Sequence, residues 1–437
     1  MSSNDNSNMT FVEDTCGYLR NSPSPYHASA NLAELLEASG FQRLWETQEW
    51  NIKTNGKYFV VRNDTSLIAF QGAKDSCAAR GMRIVGAHLD SPCLKVNPSP
   101  LISKHGYQQV NVEVYGSALL RTWFDRDLSI AGRIFFKGQD GTIKHELVNL
   151  ERPVAYIPSI AIHLEKQANT RQKIDPQKHL APLIATSRDN GAENLNQLIV
   201  QQLGDGLNEN DAESLLGFDL SFYDVSPPRI IGAEREFLAS ARIDNLVSCY
   251  AGLNALLEAE SDNFCMLVCN DHEEVGSVSD SGAQGSFLAS VLDRLIGRSP
   301  TVIRHSALLS ADGAHGIHPN YPQKHDEQHA PVINAGVVLK VNANQRYATT
   351  GEMVSVARNI CEKLEIPLQM FVSRNNIPCG TTIGPIVASE IGIKTFDMGI
   401  PQFAMHSIRE IAGCADLISL KRVLKGFFDS DQVSVTN

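Results

Sequence analysis

The sequence lacks the features that mark a membrane or secreted protein. Among its 437 residues no apolar run reaches the length of a bilayer span, and residues 1–10 are polar, without an apolar signal core. The nine cysteines form no disulfide framework, and Cys265 and Cys269 have no second pair at zinc-finger spacing. We therefore expect a cytoplasmic protein with no membrane partner, in which residues 1–10 are disordered.

The chain also lacks an excess of basic residues. Its formal net charge at pH 7 is -11, which argues against nucleic acid and anionic membranes as partners. Hydrophobic residues make up 43% of the chain and charged residues 20%, as in ordinary globular proteins. A chain of this length can form two domains and bury a large core.

The distribution of strand and helix patterns divides the chain into two kinds of region. Strands and helices alternate in residues 1–96 and 236–437, which predicts a doubly wound, mostly parallel sheet covered by helices. Residues 97–235 instead contain strand patterns joined by glycine-rich turns, with no long helix before Ile160. We expect an α/β catalytic domain (1–96 and 236–437) that is interrupted by an inserted β-rich domain (97–235).

One short segment holds two adjacent carboxylates at the end of a predicted strand. The apolar run Phe264–Val268 predicts a buried strand, and Glu273 and Glu274 follow it. In an open α/β sheet, ligands bind beyond the carboxyl ends of the strands. Neighbours in an extended segment point to opposite sides, so Glu274 can hold a metal while Glu273 faces a water. Taken alone, such a pair is more often a solvated turn.

Four further residues are potential metal ligands, and each also has an ordinary explanation. His88 could be a hydrogen-bonded core residue, and Asp244 could cap the helix that it opens. Asp312 could belong to a turn with Gly313, and His406 could be a polar loop residue. Two histidines and three carboxylates, counting Glu274, together suit zinc, with cobalt and manganese as alternatives.

A pair of metal ions about 3.5–4 Å apart needs a bridging ligand, which a carboxylate can provide. Asp244 is the predicted bridge. His88 and Asp312 would complete the ligands of one ion, and Glu274 and His406 those of the other.

This arrangement leaves Glu273 without a metal to hold. We predict that Glu273 is the general base for a water that two metals make more acidic. Asp90 follows His88 by two residues, on the same side of an extended chain. We expect Asp90 to accept the second ring N–H of His88 and so to orient the imidazole.

The sequence resembles the aspartyl aminopeptidase family of di-zinc metallopeptidases. The similar segments occur in the family's order over nearly the whole chain: His88–Lys95, Ala241–Leu246, Asp271–Ser277, Ser310–Tyr321 and Met405–Glu410. The resemblance implies the same five zinc ligands, two zinc ions per subunit and Glu273 as base. It also implies peptide substrates, an inserted domain that makes dimer contacts, and a dodecamer built from dimers.

The same resemblance implies four substrate-binding residues: His163, His315, Lys340 and Tyr347. In the family, a histidine placed like His163 reaches the active site of a neighbouring subunit. From the residues alone, His163 could be a polar residue of an amphipathic segment. Lys340 could be a solvated lysine at a strand end, or a cation that meets an acidic substrate side chain.

These features predict a zinc-dependent aminopeptidase that favours N-terminal Asp or Glu. Neutral N-terminal residues are the alternative preference, because Gly313 leaves room beside Asp312. Two other functions compete with this prediction. One is a related two-metal hydrolase, either a deacylase of acylated amino acids or a carboxypeptidase. The other is a non-catalytic, metal-binding shell protein, against which the spare carboxylate of Glu273 argues.

Overall fold

The computed structural model describes residues 3–73, 77–138, 140–170, 173–186, 199, 215–297 and 299–433. The chain forms two compact units. The first consists of Met1–Ser91, Pro228–Met405 and Glu410–Asn437, and the second of Pro92–Pro227 and His406–Arg409. The sequence predicts domain boundaries at about 97 and 235 and assigns all of 236–437 to the catalytic domain. In the structure, the second unit begins at Pro92, ends at Pro227 and also includes His406–Arg409.

The helices have the following bounds: α1 Ser3–Asn21, α2 Pro25–Ala38, α3 Cys77–Arg80, α4 Pro176–His179, α5 Ile243–Leu257, α6 Phe287–Ile296, α7 Pro300–His305, α8 Gly351–Lys363, α9 Ile383–Ile391 and α10 Cys414–Phe428. The expectation of disorder over residues 1–10 is wrong from Ser3 onward. Helix α1 starts there, and Met9 packs against the core beside the buried Phe11 and Val12. No helix in the described part of the chain is long and apolar enough to cross a membrane.

The strands have the following bounds: β1 Gln42–Leu44, β2 Lys57–Arg62, β3 Ser66–Gln71, β4 Met82–His88, β5 Cys93–Lys104, β6 Tyr107–Tyr115, β7 Leu128–Lys137, β8 Ile143–Asn149, β9 Leu183–Thr186, β10 Leu215–Asp224, β11 Arg229–Ile231, β12 Phe237–Ser240, β13 Phe264–Asn270, β14 Ala307–Ala311, β15 Ala314–His315, β16 Val337–Val341, β17 Leu368–Val372, β18 Lys394–Gly399, β19 Pro401–Phe403 and β20 Glu410–Gly413.

The first unit contains a nine-stranded sheet in the order β1-β2-β3-β13-β4-β14-β18-β16-β17. Its middle strands β13, β4, β14 and β18 are parallel to one another. The strand pairs β3–β13 and β16–β18 are antiparallel. The predicted mostly parallel sheet is therefore confirmed, and the carboxyl ends of its four middle strands lie along one edge.

Both faces of this sheet are buried, as a doubly wound fold requires. In β4, Val85 and Ala87 belong to one core cluster, whereas Met82 and Ile84 belong to another. The first cluster includes residues of α1, α2, α5, α8 and α10, and the second includes residues of α6, α7 and α9. Because β4 and β13 are buried throughout, their sequences are mainly apolar rather than alternating, with Arg83 as a buried exception inside β4.

Two antiparallel-rich sheets complete the described fold. The first unit also contains a five-stranded sheet in the order β11-β12-β20-β19-β15. The second unit is built on a six-stranded antiparallel sheet in the order β8-β7-β10-β5-β6-β9, which confirms the β-rich insertion. Strand β5 pairs within this sheet from Cys93 onward, which is why the second unit begins before residue 97. Strand β5 was not predicted, because Pro98 and Pro100 lie in it and proline is rare inside strands.

Candidate active site

Three predicted metal ligands converge at neighbouring strand ends of the first unit. His88 is the last residue of β4, and Glu274 and Asp244 lie close to it. One ligand atom from each of these three residues lies within 4.8 Å of the other two. The His88 Nε2 atom is 3.3 Å from Asp244 Oδ1 and 3.8 Å from Asp312 Oδ1. The structure thus brings together His88, Asp244, Glu274 and Asp312.

Asp312 is placed by the strand that it follows. It comes directly after β14, which pairs with β4, and its N–H donates to the Met398 carbonyl of β18. A Cβ on Gly399 would lie 1.8 Å from the Asp312 carbonyl oxygen, so only glycine permits this close approach of the two chains.

The orientation of His88 is fixed by Asp90. The His88 Nδ1 atom lies 3.1 Å from the Asp90 carbonyl oxygen and 3.4 Å from its carboxylate. Since a carbonyl oxygen only accepts hydrogen bonds, Nδ1 carries a proton, and Nε2 is the ring nitrogen that faces the carboxylates and could bind a metal. The Asp90 carboxylate also accepts hydrogen bonds from the N–H groups of Glu273 and Glu274, at 3.1 and 3.0 Å.

The expected extended geometry of the glutamate pair is wrong. Glu273–Val275 form a single 3₁₀ turn, preceded by His272 in a left-handed conformation. The turn forms because Asp90 holds both glutamate N–H groups, while Asp271 accepts the N–H of His272. The two glutamates therefore lie side by side on a turn and do not alternate along a strand.

Asp244 has an unusual backbone at the start of α5. Arg242 precedes the helical span Ile243–Leu257, which is kinked at Asp244 and Asn245. The Asp244 dihedral angles, φ -77° and ψ 108°, are not helical, and its peptide bond to Asn245 is cis. Its N–H donates to Glu410 Oε2 at 2.9 Å, and its carbonyl accepts from Ser91 Oγ at 2.7 Å.

The electrostatics of this cluster suit a divalent cation. Burial raises the pKa of Glu273 to about 8; neighbouring carboxylates add to the rise, and His88 opposes it. Burial alone would lower the pKa of His88, but hydrogen bonds to Asp244, Asp312 and Asp90 raise it well above its ordinary value. Imidazole nitrogen and carboxylate oxygen are zinc ligands, and a cation here would relieve the repulsion between the carboxylates. The residues present therefore fit zinc.

Lys340 is buried, so the solvated alternative for this residue is wrong. Only 1% of the residue is exposed, within strand β16. Its Nζ donates to the Gly313 carbonyl at 3.0 Å and lies 3.4 Å from Asp312 Oδ2. It also lies 5.1 Å from the centre of the Tyr347 ring, in a cation–π contact.

His315 and Tyr347 line a cavity of about 520 Å³ in the first unit. Its other lining residues include His318, Lys324, His325 and Arg374, and no carboxylate is among the described residues that line it. Desolvation by the cavity walls, followed by repulsion from Lys340, lowers the pKa of His315. The sequence did not indicate Lys324, His325 and Arg374, because they lie outside the recognised segments, and His318 lies within Ser310–Tyr321 without an assigned role.

The two remaining predicted residues belong to the second unit. The His406 Nδ1 atom is 3.2 Å from the carbonyl oxygen of Ser117. His163 is exposed. The apolar residues on both sides of it, Ile162 and Leu164, are 48% and 79% exposed.

Comparison with known proteins identifies the family. The family model described as "Aminopeptidase I zinc metalloprotease (M18)" matches residues 18–428. The chain belongs to this M18 family. A "Probable M18 family aminopeptidase 2" from Pseudomonas savastanoi pv. phaseolicola is 49% identical over 421 residues, which cover 95% of this chain and 97% of that protein. The predicted zinc-dependent aminopeptidase, a hydrolase, is thereby confirmed.

Solved M18 structures share the fold. The structure described as "Cryo-EM structure of the Ape4 and Nbr1 complex" matches with a TM-score of 0.91 and 36% identity, covering 97% of this chain and 86% of that chain. The S. cerevisiae mApe1 dodecamer matches with a TM-score of 0.84 and 29% identity, covering 98% of each chain. The predicted α/β catalytic domain with an inserted domain is the architecture of these M18 neighbours.

Proposed function

We propose that this M18 aminopeptidase removes N-terminal residues from peptides with the help of two zinc ions per subunit, cobalt and manganese being alternative ions. The observation that carries the proposal is the convergence of His88, Asp244 and Glu274 beside Glu273. The proposed ligands are His88, Asp244, Glu274, Asp312 and His406, with Asp244 as the bridge.

Glu273 is the proposed general base. Bound zinc would polarise the scissile carbonyl and increase the acidity of the attacking water. Glu273 would take the proton of that water and deliver it to the leaving amine. Burial raises the pKa of Glu273 in the metal-free protein, and the charge of bound zinc would lower it again, so that the carboxylate is ionised and can accept a proton. Asp90 would keep both Glu273 and His88 in place through its hydrogen bonds.

The cavity supports a preference for N-terminal Asp or Glu over neutral residues. His315 and Tyr347 would form its inner wall, and Lys324 and Arg374 would add positive charge. Lys340 already contacts Asp312 and Gly313, and it also lies against the Tyr347 ring. It would therefore attract an acidic substrate through its charge and would not bond to the substrate directly.

We further propose that the chain forms a dodecamer built from dimers in the cytoplasm. The mApe1 neighbour is described as a dodecamer, and the inserted domain would make the dimer contacts. The exposed apolar side chains of Ile160, Ile162 and Leu164 support this role, because burial in an interface would remove them from water. His163 would then reach the substrate of a neighbouring subunit. Peptides are the proposed partners, with neither nucleic acid nor membranes.

A panel of aminoacyl reporter substrates tests the function. Asp, Glu, Leu and Lys would be compared at the N-terminus after chelation and after addition of zinc, cobalt or manganese. We expect chelation to abolish turnover, metal to restore it, and Asp or Glu to give the highest kcat/KM. An N-acetylated substrate should not be cleaved, whereas a deacylase or carboxypeptidase would tolerate the blocked amine. Equal turnover of all four residues would contradict the acidic preference.

The Glu273→Gln variant tests the mechanism. The glutamine keeps the backbone N–H that Asp90 holds, so zinc content should not change. Turnover should fall by about 10²–10⁴-fold, the usual contribution of a general base. Near-normal turnover with zinc bound would show that another group is the base.

A further inference from the structure

Glu410 is a buried carboxylate next to the proposed bridging ligand. It is 1% exposed and is the first residue of β20, outside α5 and the strands that carry the other ligands. Its Oε2 accepts the backbone N–H of Asp244 at 2.9 Å. Burying a carboxylate is costly unless it makes strong hydrogen bonds, so a buried Glu410 beside Asp244 indicates a specific role for this residue.

Two more contacts hold the same short segment from other directions. Ser91 Oγ donates to the Asp244 carbonyl at 2.7 Å, so both backbone polar groups of Asp244 are held by side chains. Asn245 Nδ2 donates to the Ala311 carbonyl at 2.8 Å, directly before Asp312. These bonds replace the regular helical ones that Asp244 does not make, since its dihedral angles lie outside the helix.

We propose that Glu410, assisted by Ser91, is a positioning residue that fixes the backbone of Asp244 so that its carboxylate can bridge the two metals. The inference rests on the proposed role of Asp244 as a ligand. A bridging carboxylate must present both oxygens in a set direction, and a residue outside regular helix geometry is directed only by such contacts. Glu410 thus acts through the Asp244 main chain and contributes no atom to the substrate.

Glu410 acts through its hydrogen-bond acceptor, so a substitution that keeps an acceptor and one that removes it should have different effects. Glutamine retains an acceptor oxygen at nearly the same place, and alanine has none. Glu410→Ala should weaken zinc binding by about 10–100-fold, the usual effect of losing a group that supports a ligand. Glu410→Gln should stay within about threefold of the native affinity, and Ser91→Ala should show a loss in the same direction as Glu410→Ala.

Asp416 provides a matched control. It too is a buried carboxylate that accepts backbone N–H groups, those of Asn334 and Gly336, but it does not contact Asp244 in the described contacts. Asp416→Ala should lower the melting temperature of the metal-free protein without changing its zinc affinity. This comparison separates a general loss of stability from a specific loss of ligand geometry.

Zinc affinity would be measured on the full-length protein by competition with a chelating dye, and the geometry by the visible absorption spectrum with cobalt bound. We expect Glu410→Ala to weaken zinc binding and change the cobalt spectrum, and Glu410→Gln to restore both. Native affinity and spectrum in Glu410→Ala would overturn the proposal, as would equal losses in the Ala and Gln variants.

If Glu410→Ala fails to fold, the other two variants still test the proposal. Ser91→Ala must bind zinc more weakly than the native protein, and Glu410→Gln must bind it with near-native affinity. Asp244→Asn tests the underlying assignment separately. Native zinc affinity in Asp244→Asn would contradict the proposed ligand set. Weak binding there, together with native binding in Glu410→Ala, would contradict only the role of Glu410.

Discussion

Zinc binding to the metal-free protein should release protons, because the site holds protons that compete with the metal. The pKa of Glu273 is raised to about 8 by burial, and the pKa of His88 lies well above its ordinary value. Both groups are therefore largely protonated at about pH 6. Zinc needs the neutral imidazole of His88, and its charge would drive the proton from Glu273.

The magnitude follows from counting these protons. Each proton released makes the apparent affinity rise about tenfold per pH unit while the group is mainly protonated. The Glu273 proton accounts for about a tenfold rise between about pH 6 and about pH 7, and the His88 proton adds to that rise. Glu273→Gln lacks the first proton, so its rise over the same interval should be about tenfold smaller than that of the native protein. The sign is fixed, since a raised pKa favours the protonated, metal-free form at low pH.

Competition with a chelator of known pH dependence would give the affinities of the native protein and of the variant. Calorimetry in buffers with different ionisation enthalpies would count the released protons directly. The native protein should release about one proton more than Glu273→Gln. Equal pH slopes and equal proton counts would refute the reasoning, because they would show that Glu273 is already ionised before zinc binds.

Three further substitutions give measurable outcomes. Lys340→Met removes the ammonium that faces Asp312, and we expect the free energy of unfolding of the metal-free protein to fall by about 3–5 kcal/mol. The melting temperature should fall less when zinc is present than when it is absent. Burial raises the pKa of Asp416 to about 7, so its contribution to stability is largest below about pH 4 and is lost as the pH rises through about 7. Asp416→Asn should therefore flatten the fall in melting temperature between about pH 4 and about pH 7. Arg374→Met should lower kcat/KM about tenfold for N-terminal Asp and leave Leu unchanged; equal losses would contradict a charge-based preference.

The main architecture could be predicted from the sequence because its signals are local. The mainly apolar sequences of β4 and β13 indicated buried strands, and polar residues at or after their ends indicated ligands at one sheet edge. His88, Asp244, Glu274 and Asp312 do lie together there.

The features that were missed depend on contacts distant in sequence. The 3₁₀ turn of Glu273 exists because Asp90, from another strand end, accepts its N–H. The role of Glu410 could not be predicted, because nothing local connects it to Asp244. Lys340 lies in an apolar strand, where a lysine would ordinarily mark the exposed end, and only the fold brings Asp312 to it.

The buried Lys340 side chain also affects the enzyme when no metal is bound. Carboxylates that face one another repel once bound cations leave, but the Lys340 side chain, with its Nζ 3.4 Å from Asp312, belongs to the chain and does not leave with them. This internal counter-ion limits the repulsion between the carboxylates. We therefore expect the metal-free protein to stay folded and to bind zinc again without unfolding.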